Sequence, residues 1–233
     1  MHLTKVVLRS EDFPARDVYP FNLPVFSATR SIEFTSPVTF FVGENATGKS
    51  TLLHAMSKRC GIYVWGEDSG RARCEHNPWE RSFFRFVDVE WENGRVPGSF
   101  FGSDLFRNYA AIVDEWASTD PGLLEFFGGK SLVSQSHGQS ILSFFRACFK
   151  VKGLYFLDEP ETGLSPSSQL ALLSLLSENA SMGHTQFVVA THSPIILSCP
   201  SAVLYSFDFP DIRKIDYKSS GHYRLYREFF DRV

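Results

Sequence analysis

The stretch "GENATGKS", residues 43–50, decides how the rest of the chain is read. It fits G-x-x-x-x-G-K-[ST] without exception. Upstream lies "VTFFV" (38–42), a short apolar run suited to a central buried strand. Downstream, Leu52, Leu53 and Met56 mark an amphipathic helix that ends near Gly61. A strand, a glycine-rich turn and a helix in that order make a phosphate cradle. Gly43 and Gly48 let the backbone of Glu44, Asn45, Ala46 and Thr47 wrap closely enough to point N–H groups at phosphate oxygens. The helix that starts there adds its positive dipole end beneath Thr51. Lys49 can reach the β- and γ-phosphates, and Ser50 offers Mg²⁺ the hard oxygen it prefers.

A second stretch, "LYFLDEPETGLSP", sets Asp158 and Glu159 at the end of another buried strand. Adjacent carboxylates there are costly unless they serve a charge. Asp158 is expected to hold Mg²⁺, directly or through water. Glu159 is expected to polarise the attacking water as general base. The run "QFVVAT" (186–191) then leads to His192, at the carboxyl end of a strand, where α/β sheets present ligand-binding groups. A histidine so placed can donate to a terminal phosphate and steady the water.

Around these motifs, "LTKVVL" (3–8), "SIEFT" (31–35), "GLYFLD" (153–158) and "AVLYSF" (202–207) read as strands. "FRFVDVEWENGRVPGSFF" reads as a hairpin turning at Asn93-Gly94. Residues 104–149 read as mostly helical, 167–180 as a Leu-rich helix and the tail "HYRLYREFFDRV" as a closing helix. The alternation predicts an α/β fold with a mostly parallel sheet. The helical stretch reads as an inserted lobe within one domain spanning 1–233, with the core at 1–100 and 150–233 and the lobe at about 101–149.

The composition fits that reading. With 233 residues, 43% hydrophobic and 21% charged, the chain can bury a full core without disulfides or structural metal. Its 23 Phe suggest a phenylalanine-rich core. A net charge of −3 gives no global pull toward nucleic acid or anionic lipid. Arg71, Arg73, Arg81 and Arg85 lie close together and read as a solvated face or a local basic patch. Cys60, Cys74, Cys148 and Cys199 show neither Cys-x-x-Cys nor a Cys/His grouping, which argues against a zinc site and a disulfide framework. No signal sequence and no membrane-spanning segment is read, so a cytoplasmic location is expected.

One short stretch has no local target. "SQSHGQSI" (134–141) passes from small polar residues into an apolar helix face, as a helix start does. With the motifs above, it makes the chain resemble the ABC-type ATPases, and among them the SMC/RecF-like branch and small solitary relatives. Gly43–Thr51 correspond to Walker A, Leu154–Glu159 to Walker B, Glu161–Ser165 to the D-loop and His192 to the switch histidine. Gln135-Ser136-His137-Gly138-Gln139 correspond to the signature Leu-Ser-Gly-Gly-Gln.

The resemblance implies ATP and Mg²⁺ as ligands, and a homodimer in the ATP-bound state. Two cores would stack head to tail, with Ser136, His137, Gly138 and Gln139 of one copy completing the site on the other. Hydrolysis would then act as a conformational switch on a partner protein or nucleic acid. Two further readings stay open: the ATPase subunit of a transporter, and an ATP-gated interaction module with little turnover. The chain also departs from the family pattern. His137 stands where Gly is usual and adds bulk beside the phosphate. Ser165 stands where the D-loop usually has Asp. No glutamine occurs between Ser50 and the signature region, so Asp104 is the candidate to replace the Q-loop residue at the metal, unless it is a helix cap. Tyr19 and Phe21, upstream of Walker A, are candidates to stack on adenine or to pack in the core.

Overall fold

Strand β3 (Val38–Val42) is buried at every residue, and so is β7 (Thr185–Ala190). Runs with no polar alternation are what a parallel sheet covered on both faces demands. A computed structural model, which describes residues 1–64 and 77–232, places these two strands side by side in the centre of a six-stranded sheet.

From the amino terminus the strands are β1 (Leu3–Leu8), β2 (Ser31–Glu33), β3, β4 (Val87–Trp91), β5 (Gly98–Gly102), β6 (Gly153–Asp158), β7, β8 (Val203–Ser206) and β9 (Arg213–Ile215). The helices are α1 (Pro24–Ala28), α2 (Lys49–Arg59), α3 (Pro78–Ser82), α4 (Ser103–Thr119), α5 (His137–Cys148), α6 (Pro166–Ser181), α7 (Pro194–Leu197) and α8 (Gly221–Asp231). The large sheet runs β5-β6-β7-β3-β8-β9, parallel except for β9. A second, antiparallel sheet runs β2-β1-β4. The fold is therefore α/β, with a mostly parallel main sheet and an antiparallel amino-terminal part.

Gln186 fastens one sheet to the other. Its Oε1 accepts from the backbone N–H of His2 and Leu3 at 2.9 and 2.8 Å, and its Nε2 donates to Leu3 O at 2.9 Å. A fully buried amide is tolerated in β7 because the backbone groups of His2 and Leu3, at the start of β1, satisfy it.

Phenylalanines fill two separate cores. On the small-sheet side, Phe13, Phe21, Phe26, Phe83 and Phe86 pack with centroids 4.8–6.0 Å apart. On the other side, Phe101, Phe106, Phe144, Phe145 and Phe149 tie α4 and α5 to the sheet. Between β5 and β6 the chain holds α4, a 3-10 turn at Pro121–Phe127 and α5.

The expected hairpin at Asn93-Gly94 does not form. β4 pairs with β1, whereas β5 pairs with β6 in the other sheet. Gly94, at φ +88°, turns the chain from one sheet to the other. The close approach of β5 to β6 needs glycine: a Cβ on Gly98 would lie 2.2 Å from Leu154 O. β9 escapes sequence reading because three residues carrying Arg213 and Lys214 show no strand pattern; such charges suit a sheet edge. Arg81 and Arg85 are exposed, while Arg71, Arg73 and Cys74 lie outside the described residues. Cys60, Cys148 and Cys199 are free thiols. Among the described residues no helix is long and apolar enough to cross a membrane.

Candidate functional site

The cradle loop runs from the end of β3 to α2, and glycine is required at its far end. Gly48 caps α2 at φ +99°, and a Cβ there would sit 2.7 Å from Phe26 Cζ and 2.9 Å from Leu23 Cδ1. Gly43 lies under Asp208, whose Oδ1 accepts from Glu44 N at 2.8 Å. Ala46 also has positive φ, +62°, an unfavourable backbone for alanine that the loop imposes. Glu44, Asn45 and Ala46 are exposed along the rim, and Thr47 Oγ1 donates to Glu44 O at 2.9 Å. Lys49, only 5% exposed, donates from Nζ to Gly43 O and Glu44 O, each at 2.7 Å. Burial lowers its pKa, although Glu159, Asp208, Asp158 and Glu44 pull the other way. Thr51 shares a hydrogen bond with the Tyr19 phenol, which burial holds above its usual pKa.

Topology brings the acidic strand end to this loop. β7 lies between β6 and β3, so Asp158 and Ala190, which end their strands, stand in register with Phe41, one residue short of the end of β3. Ser50 Oγ donates to Asp158 Oδ1 at 2.9 Å. Burial pushes the Asp158 carboxyl up to about 7, helped by the charges of Glu159 and Asp104 and opposed by the Ser50 bond and Lys49. Asp104 arrives there because Gly102, at the end of β5, is paired with Asp158. Asp104 is exposed in the first turn of α4, and the helix is capped at Gly102 without any side-chain bond, so the helix-cap role is not the one it fills.

Glu159 follows β6 in a left-handed backbone conformation, φ +46°, with its N–H donating to Ala190 O at 2.9 Å. Its Oε1 lies 3.8 Å from His192 Nε2, and Thr162 Oγ1 donates to its Oε2 at 3.5 Å. His192 is pinned through its backbone, whose N–H donates to Glu161 Oε1 at 2.7 Å. Its Nδ1 is 3.0 Å from Nε2 of His222, the second residue of α8. Burial lowers the His192 pKa, and Lys49 and His222 lower it further.

Among the described residues no three His, Cys, Asp or Glu side chains form a metal cluster of their own. The donors at the cradle, the Ser50 hydroxyl and the Asp158 carboxylate with Asp104 nearby, are all hard oxygens. The negative charges of Glu159 and Asp104 add to the rise that burial imposes on Asp158. Such a set fits Mg²⁺, which keeps several waters and shares its shell with substrate phosphates.

The polar tip at 134–139 forms a capped helix start. Ser136 is the N-cap of α5: its Oγ accepts from Gln139 N at 3.4 Å, while Gln139 Oε1 accepts from Ser136 N at 3.3 Å. Ser136 and Gln139 are exposed. Gln135 is tied back to α5, accepting from Ser143 Oγ at 2.8 Å, and to its own loop, donating to Ser131 O at 3.3 Å. The His137 side chain packs within its own chain. Its ring fills the notch over Gly163, where a Cβ would lie 2.6 Å from His137 Cδ2, and it packs against Phe106. Gly138 faces Ser168, where a Cβ would come within 3.3 Å of the Ser168 hydroxyl. Ser165 caps α6, accepting from Ser168 N at 3.3 Å, a task serine performs about as well as aspartate.

One candidate is corrected. Phe21 is wholly buried, with its ring against Phe13, Phe83, Phe86 and Trp79, so it is a core side chain and cannot meet an adenine. Tyr19 stands at the cradle through Thr51. Two residues of the site escaped sequence reading. Asp208, just past β8, could have been found from its place at a strand's carboxyl end. His222 has no spacing signal, because only the tertiary fold carries α8 to His192.

Residues 131–198 match a family model described as "AAA domain, putative AbiEii toxin, Type IV TA system". That span contains Ser136, Asp158, Glu159 and His192. No curated protein matches the chain. Among solved structures, cbiO1 from Clostridium perfringens, part of an ABC transporter complex, is 17% identical with a TM-score of 0.54, covering 98% of this chain and 92% of its own. The SMC head domain from Thermotoga maritima is 17% identical with a TM-score of 0.50, covering 93% of this chain and 100% of its own. A nucleotide-free ATP-binding cassette from an ABC transporter is 14% identical with a TM-score of 0.54, covering 91% and 90%. The chain therefore has the ABC-type ATPase fold, the one shared by transporter cassettes and SMC heads.

Proposed function

We propose that the protein binds Mg-ATP in the 43–51 cradle and hydrolyses it. One observation carries the reading: the Ser50–Asp158 hydrogen bond joins the cradle helix to the acidic strand end, with Glu159 and His192 adjoining it. Lys49 and the loop N–H groups bind the β- and γ-phosphates. Ser50 and Asp158, with Asp104 beside them in place of the missing glutamine, hold Mg²⁺, which supplies charge neutralisation at the phosphate oxygens. Glu159 accepts a proton from the attacking water. Its exposure, 43% of the side chain, leaves the carboxylate within reach of solvent. His192 donates to the terminal phosphate, and its Nε2 has no hydrogen-bond partner among the described residues.

Two copies, stacked head to tail, close over two nucleotides. The exposed α5 tip of each copy, Ser136 with its helix dipole, faces the terminal phosphate bound by the other. Closure and release on hydrolysis form a switch read by a partner protein or nucleic acid, in the cytoplasm.

The test is Glu159→Gln. In Mg-ATP this variant binds nucleotide, loses turnover by at least about a hundredfold, as removal of a general base does, and elutes as a dimer by gel filtration with light scattering. A variant that stays monomeric and hydrolyses ATP at the wild-type rate overturns both the general base and the sandwich.

A further inference from the structure

His192 and His222 come from elements thirty residues apart, yet their rings meet at 3.0 Å between Nδ1 and Nε2, with centroids 5.2 Å apart. One nitrogen must donate and the other accept, so the contact couples the proton positions of the two rings. Both imidazoles stay neutral at physiological pH. Burial depresses each, and Lys49 lowers both; for His222 the carboxylates of Asp208 and Glu44 pull the other way, as those of Glu159 and Glu44 do for His192. The position of His222 near the N-terminus of α8 opposes a positive charge on it as well.

Neutral rings leave two arrangements. If His192 donates from Nδ1, its Nε2 carries a lone pair facing the Glu159 carboxylate 3.8 Å away. If His222 donates from Nε2, the His192 proton sits on Nε2 and faces that carboxylate. The first sets a lone pair against an anion; the second sets an N–H toward it. Lys49 acts on the ring in the opposite sense, but the contact recorded at Nε2 itself is the Glu159 carboxylate, and that contact selects the second.

We infer that His222 is a positioning residue for His192: its Nε2–H donates to His192 Nδ1, fixing the ring orientation and leaving Nε2–H free to donate to the terminal phosphate. The inference rests on the ATPase reading for the role of that proton, and on the ring contact, the neutrality of both imidazoles and the Glu159 carboxylate for the proton's place. The seating of His222 is itself built in. Ser220 caps α8, accepting from Tyr223 N at 3.2 Å, and its hydroxyl donates to Tyr217 O at 2.7 Å. Tyr217 in turn donates to Pro194 O at 2.9 Å, two residues beyond His192. The start of α8 is thus tied to the same segment that carries the histidine it orients.

The test has a spectroscopic arm and a kinetic arm. Imidazole nitrogen NMR of the nucleotide-free wild type is expected to show His192 protonated at Nε2, His222 protonated at Nε2, and a scalar coupling across the N–H···N bond. A His192 proton on Nδ1 overturns the inference, whether or not the protein hydrolyses ATP. In the kinetic arm, His222→Ala and His222→Phe are expected to lower kcat on the order of tenfold, the usual cost of losing an orienting partner, with nucleotide affinity unchanged. His222→Gln, whose amide N–H stands near the position of Nε2, restores most of kcat. If Phe restores activity as well as Gln does, the contact is packing and the inference fails. A wild type with the expected spectrum and no ATP turnover under any condition leaves the proton placement standing and rejects the hydrolase reading instead.

Discussion

Asp158 carries the largest electrostatic cost in the site. Its carboxyl has a pKa of about 7 in the folded protein against 3.8 for an unperturbed aspartate, chiefly through burial. The folded state therefore holds a proton that the unfolded state releases. The resulting stability is full below pH 4, declines as pH rises, and is gone above about pH 7. About three pKa units correspond nominally to 4 kcal/mol. Asp158→Asn keeps an oxygen that can accept from Ser50 and removes the buried charge. Without Mg²⁺ or nucleotide, the variant is expected to melt about 8–16 °C above wild type at pH 8, with the gap closing toward pH 4. Melting curves in EDTA across that range check it; a gap independent of pH would reject the buried-charge account. The same substitution is expected to abolish Mg-dependent turnover, so the site would trade stability for function. Sequence reading reached Asp158 because an acid at the end of an apolar strand is conspicuous. It reached Lys49 and Ser50 because their spacing is itself the chemistry. It missed His222 because nothing local marks a histidine whose partner is supplied by the fold.

At the scale of elements, legibility followed burial on both faces. β3, β6 and β7 are strands buried along nearly their whole length and dominated by apolar residues, and α6 begins at a proline after a serine cap, so each announces itself. β4 and β5 do not. An Asn-Gly pair between two β-type runs predicts a hairpin from local turn chemistry, but Gly98 and Gly153 allow β5 to press against β6, and that long-range pairing wins. Phe21 shows the same limit for side chains. Upstream of the cradle it reads equally as an adenine platform or as core, and only its four aromatic neighbours decide. Phe21→Ala is accordingly expected to cost roughly 3–5 kcal/mol of stability, measured by chemical denaturation, while the folded protein retains wild-type nucleotide affinity. A large loss of affinity with little loss of stability would return Phe21 to the site.

The whole molecule poses a question that a single chain leaves open: whether the α5 tip serves its own cradle or another's. Among the described residues no hydrogen bond links 134–139 to the 43–51 loop; the tip's partners lie in its own loop and helix. A complementation experiment separates the cases. Glu159→Gln spoils a cradle and keeps its tip; Ser136→Arg spoils a tip and keeps its cradle. Each variant alone is expected to be inactive. When the two are mixed before ATP is added, a heterodimer pairs the intact cradle of one copy with the intact tip of the other. Random assortment yields at most about a quarter of wild-type activity per chain, since half the dimers are mixed and each has one sound site. Sites built within one chain yield none, because no chain in the mixture holds both sound halves. Recovery that rises with the square of total protein concentration at low concentration would identify the second copy as the missing part of the site.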